Sequence, residues 1–199
     1  MLNLTLWDLL IRLGAYLLVG AIAGILSQLV LRAFGGKTTS ESGGPGFACF
    51  DIVGLIFALL FKQGWGRGPQ PEPGGLRGGR VGLIAWVVLT LGLTLGALAL
   101  LPYANRPIAS FGNNIVTQAA LSVLGAASDL GVWFVIVSLL PIPPLMGGNI
   151  LLALFPGLRA TARKLYWPGT ALVALLVGFG IVQAVLEPAW VMLRGWIAP

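Results

Sequence analysis

Ser138-Leu-Leu-Pro-Ile-Pro-Pro-Leu-Met-Gly-Gly148 is the stretch that decides how this chain folds. Pro141, Pro143 and Pro144 remove amide donors and block helix, yet apolar sequence continues on both sides, over residues 130–155. Inside a bilayer the freed backbone groups find no water, so such a break survives only where protein buries it or a polar cavity lines it. The expected order is a span, an extended break and a further helix. The surroundings agree, since 57% of the 199 residues are hydrophobic and only 9% charged. Mean hydropathy is +0.94. A soluble domain carries about a quarter of its residues charged, so an all-α integral membrane protein is expected, one polytopic domain over residues 1–199. Met1 to Leu10 holds Asp8 and no early basic region, which does not fit a cleavable signal.

Working outward from the break, residues 9–34, 81–101 and 167–193 each read as a span, with Arg12 interrupting the first and Arg32 closing it. Residues 47–61 read as a short span or a segment entering part-way, and 115–127 as a helix packed inside a bundle. Residues 35–46 are a polar, glycine-rich loop. The proline- and glycine-rich residues 62–80 are expected to be extended, as a small membrane-associated hairpin or edge strand. Five to six membrane segments result. Net charge is +6, and its most basic connections, 62–80 and 157–166, fall on the cytoplasmic side by the positive-inside bias. That placement makes the lipid bilayer, and not nucleic acid, the partner of the positive charge. The expected location is a bacterial inner membrane.

The tract from Ser138 to Gly148 resembles the second signature of the site-2 protease (M50) family of intramembrane metalloproteases, which reads Asn-Leu-Leu-Pro-Ile-Pro-Pro-Leu-Asp-Gly-Gly. Leu139 to Leu145 and Gly147-Gly148 agree residue for residue. Gly64-Trp65-Gly66-Arg67-Gly68-Pro69-Gln70-Pro71, followed by Leu76-Arg77 and Arg80, looks like the family's Gly-Trp-Ala-Lys-Pro-Val-Pro-Val segment, which lies beside the active site. The resemblance spans roughly residues 15–190. It implies that Pro141, Ile142, Pro143, Pro144, Leu145, Gly147 and Gly148 line a former substrate groove.

The departures fall on the positions that carry the chemistry. The zinc-binding aspartate of the family falls on Met146 and the active-site asparagine on Ser138. The family's His-Glu-x-x-His falls on Ala23-Gly24-Ile25-Leu26-Ser27, and the chain has no histidine anywhere. Zinc needs three nitrogen, sulfur or carboxylate ligands and an open place for water. Asp51, Asp129, Glu187 and Cys49 are the available donors, and Met146 is a soft thioether unsuited to join oxygen donors. A serine or cysteine nucleophile would lack its usual base. The expectation is a pseudoprotease with no metal and no cofactor.

Other residues carry open readings. Asp129 sits among apolar residues, where a carboxylate at the bilayer centre costs roughly 2.5–3.5 kcal/mol on insertion scales. It is a helix cap (with Ser128), a buried polar contact, or an ion-handling group, and Asp51 is the second candidate polar site. Gly20, Gly24, Gly92 and Gly96 match the small-xxx-small pattern of close helix packing, within the bundle or against a partner. Trp7, Trp65, Trp167, Trp190 and Trp196 read as interfacial anchors. Cys49 reads as a buried small hydrophobe. Three functional classes follow: a structural or assembly subunit of a larger membrane complex, for example respiratory or photosynthetic; a module that holds a transmembrane helix without cutting it, as a chaperone or regulator; and a small carrier using Asp51 or Asp129.

Overall fold

The computed structural model describes residues 5–36, 49–69, 71, 75–158 and 164–197. Its regular elements among these residues are helices: α1 Leu6–Ala33, α2 Ile52–Phe61, α3 Gly79–Leu100, α4 Asn105–Ala109, α5 Ile115–Leu139, α6 Gly148–Leu154, α7 Tyr166–Gly178 and α8 Ile181–Ile197. A capping box starts α1. The Thr5 hydroxyl accepts from the Asp8 amide (3.1 Å), and the Asp8 carboxylate accepts from the Thr5 amide (3.2 Å). Asn114 starts α5 by accepting from the Thr117 amide at 2.8 Å.

Three helices, α1, α3 and α5, are long and apolar enough to cross a membrane; α7 and α8 make a fourth span only if their 74° bend is counted as one crossing. This corrects the expected five to six. The shortfall has two physical causes. First, α2 rises only about 15 Å at 1.5 Å per residue, half a hydrocarbon core. Its flanks also enter and leave at one end of the bundle. The Arg77 amide donates to the Phe34 carbonyl (2.7 Å), bringing the start of α3 back to the end of α1. Second, α6 is a seven-residue helix. The two helices expected over 115–127 and 130–140 are one continuous α5.

Buried Tyr16, Val19 and Ala23 of α1, Leu83, Trp86 and Leu98 of α3, and Leu130, Val132, Phe134 and Val137 of α5 form the core. The Trp86 indole donates to the Ser27 carbonyl (3.0 Å), pinning α3 to α1. Among the described residues the expected hairpin over 62–80 is not formed. Among the described residues this stretch makes a single antiparallel bridge, Arg67 with Leu145, and Gly79 already opens α3. The Arg67 guanidinium lies 4.7 Å from the centroid of the Tyr166 ring, so the two basic connections meet at one end of the bundle. Gln70, Pro73, Lys37, Arg159, Arg163 and the bulk of the 35–46 loop lie outside the described residues.

Candidate functional site

On either side of α2, residues 49–51 and 62–69 run outside helix against α1 and α5, and each freed backbone group needs a partner. Tyr16 of α1 supplies three of them. Its hydroxyl accepts from the Asp51 amide (3.1 Å) and donates between the carbonyls of Asp51 and Trp65, each 2.9 Å away. The Asp51 carboxylate caps α2 through the Val53 amide (3.3 Å) and receives the Trp65 indole N–H (2.9 Å). At the far end of α2, Arg12 donates to the carbonyls of Leu59 and Leu60, satisfying a helix C-terminus. Lys62 ends α2 in the left-handed region at φ 59°.

Close approach completes the fit. A Cβ on Gly54 would lie 2.1 Å from the Trp65 carbonyl oxygen, so only glycine lets the returning chain cross α2. A Cβ on Gly20 would lie 3.0 Å from Cε1 of the Phe50 ring. The predicted packing glycine therefore receives a piece of this same chain. Asp51 and Trp65 are thus deeply buried (5% and 0% exposed), which for Trp65 corrects the reading of an interfacial anchor. Ring contacts of Tyr16 with Phe50 and Phe134, at 5.8 and 6.2 Å, carry the network across to α5.

The proline-rich break lies on the other side of this returning chain. Its own amides are used locally: Leu145 donates to Ile142 (2.8 Å), Gly147 to Ser138 (2.8 Å) and Gly148 to Leu145 (3.0 Å). The Pro143–Pro144 peptide bond is cis. A Cβ on Gly147 would lie 2.0 Å from the Leu139 carbonyl oxygen, which explains glycine at this turn. Pro141 is exposed and Ile142 and Pro143 are half-buried, whereas Pro144 through Asn149 are buried.

The positions that the resemblance would assign to zinc and catalysis are brought towards one another through the 49–68 chain. Ala23, Gly24 and Ser27 line the buried face of α1, with Ser27 beside the Cys49 thiol. The carbonyl of Cys49 and the Phe134 ring crowd Gly66, whose amide reaches the Ser138 hydroxyl at a long 3.5 Å. The Met146 side chain packs on Gly68, where an added Cβ would sit 2.5 Å from its Cγ. Ser138 and Met146 are both 1% exposed. This donor set does not fit zinc: alanine and glycine offer nothing, serine is a neutral hydroxyl, and the thioether is committed to packing. Among the described residues no three His, Cys, Asp or Glu side chains gather.

Asp129 lies in mid-helix, so it caps nothing; Asn114 is the cap of α5. Its carboxylate forms an ion pair with Arg194 of α8, beside the stacked rings of Trp133 and Trp190 (centroids 6.0 Å apart). Gly24 is buried in α1, while Gly92 and Gly96 point away from the bundle with nothing within 4 Å of where a Cβ would stand. Sequence reasoning missed Tyr16 and Arg12 as backbone partners, although a tyrosine and an arginine inside an apolar span were the available signal. No protein-family model matches the chain, and neither a curated protein nor a solved structure is found similar to it.

Proposed function

We propose that this chain is a catalytically inactive, site-2-protease-like membrane protein that serves as a structural or assembly subunit packed against a larger integral-membrane complex. It sits in a bacterial inner membrane with the 62–80 and 157–166 connections on the cytoplasmic face. One observation carries the reading: the positions the resemblance assigns to zinc and catalysis, Ala23, Gly24, Ser27, Ser138 and Met146, are occupied by buried packing residues in a chain without histidine. With hydrolysis lost, a rigid bundle is the asset that remains. The alternative of a module holding a client helix is weaker, because Leu145, at the heart of the former groove, is already bridged to the chain's own Arg67 and buried.

Extraction of the tagged full-length protein in mild detergent, with quantitative mass spectrometry of what accompanies it, tests the proposal. A membrane-protein companion in fixed stoichiometry is expected. Recovery as a lone 20.8 kDa chain from every mild extraction would count against it.

A further inference from the structure

The bend of 74° between α7 and α8, made at Phe179-Gly180 with Gly180 at φ 71°, separates two helices of different surface. Every exposed position of α7, from Trp167 to Gly178, is apolar or small, which suits hydrocarbon on all sides. The surface of α8 is divided. Val182, Trp190 and Ile197 lie on one face and pack on the bundle core. Gln183, Glu187 and Arg194 form a second stripe at helical spacing. Val185, Met192 and Trp196, which are 67, 64 and 79% exposed, form a third on the opposite side of the helix from the polar one.

The position of α8 agrees with its surface. With this bend, its roughly 25 Å advance only about 7 Å along the direction of α7. Its last turns lie against α5 at Asp129 and Trp133, through the ion pair with Arg194 and the stacked ring of Trp190. One helical turn or less from Asp129, a Cβ on Gly131 would lie 2.5 Å from Cδ1 of Leu98. Leu98 stands about 28 Å along α3 from Gly79, nearly a full hydrocarbon thickness from the exposed Arg77 and Arg80. The neutralised Asp129–Arg194 pair therefore falls at the far edge of the hydrocarbon, where side chains that are 50% and 28% exposed still meet water.

We propose that α8 is an interfacial helix, lying in the bilayer surface at the end of the bundle away from Arg77 and Arg80. Val185, Met192 and Trp196 enter the acyl chains, while Gln183 and Glu187 face the headgroups and water. A helix from a partner protein matches one of the two stripes and leaves the other misplaced. The boundary between acyl chains and headgroups matches both, since it is apolar on one side and wet on the other. The α7–α8 pair is then an embedded helix joined to a surface helix, and not a kinked span. The inference needs the membrane setting alone and no companion protein.

Single nitroxide-labelled cysteines at Gln183, Val185, Glu187, Met192 and Trp196, each in a Cys49→Ala background, test this. The full-length protein is reconstituted in phosphatidylethanolamine–phosphatidylglycerol vesicles, with a label at Leu172 of α7 as the hydrocarbon control. Collision rates with oxygen, which concentrates in hydrocarbon, and with a nickel chelate, which stays in water, give each label's depth. Val185, Met192 and Trp196 are expected to favour oxygen, at depths within about 5 Å of one another. Gln183 and Glu187 are expected to favour the chelate. A steady change of about 16 Å from Val185 to Trp196 makes α8 the second half of a span and overturns the proposal. Both stripes open to the chelate place α8 in water, and both closed to oxygen and chelate alike place it under protein; either result overturns it as well. Each label replaces an exposed side chain, and one that lowers helicity by circular dichroism is moved along its stripe to Ile181. Loss of oxygen preference at Leu172 too would remove the membrane setting itself.

Discussion

One hydroxyl, on Tyr16, serves an amide and two carbonyls that the chain would otherwise bury unpaired. Tyr16→Phe strands them at a cost of about 1–3 kcal/mol, the desolvation penalty of a buried polar group. Trp65→Phe removes the indole donor from the Asp51 carboxylate and should cost a similar amount. Because both variants damage the environment of Asp51, the double variant is expected to lose less than their sum; reversible unfolding of all three in detergent measures this. Cys49 offers a second check. Burial pushes its thiol from an ordinary value near 9 up to about 12. The folded state therefore favours the protonated form, so its contribution to stability is constant below about pH 9 and declines as pH rises towards 12. A maleimide at pH 8 is expected to leave Cys49 unlabelled until the protein is denatured in SDS. The sequence shows Trp65 beside an apolar run, which made the interfacial reading natural. Tyr16, the partner of Asp51 and Trp65, lies 35 and 49 residues away, beyond the reach of any spacing rule.

Among the elements, α2 is the one whose length misleads. Apolar but only about half as long as a crossing needs, it is held as an inward excursion by Arg12, Tyr16 and the glycine contact with Trp65. Gly54→Ala drives a methyl group into the Trp65 carbonyl and should cost about 1–3 kcal/mol, as overpacking does. If α2 returns to the side it came from, single cysteines at Ala33 and Gly75, in a Cys49→Ala background, label from the same side of sealed vesicles, and one at Ser110 from the opposite side. Labelling of Ala33→Cys and Gly75→Cys from opposite sides would make α2 a crossing. The proline-rich break was legible because proline and glycine act locally, and the Gly147 contact with Leu139 gives that legibility a steric cause. The continuity of α5 was not. Ser128-Asp129 imitates a helix start, and the arginine that neutralises the carboxylate in mid-helix comes from a distant part of the chain.

At the scale of the whole molecule, composition alone pointed to a helical membrane bundle, and three long apolar helices with a bent fourth pair agree with it. The number of crossings depended on tertiary satisfaction of backbone groups, which hydropathy does not encode. The 62–80 and 157–166 connections approach each other through Arg67 and Tyr166. One claim is central to the proposal, that the positions the resemblance would assign to a metal serve packing in this chain. Zinc quantification on homogeneous protein purified without chelator tests it most directly. Well below a tenth of an equivalent is expected, with unfolding unaffected by added zinc; one tightly held equivalent, released by a chelator together with loss of fold or of peptide-bond cleavage, would contradict it.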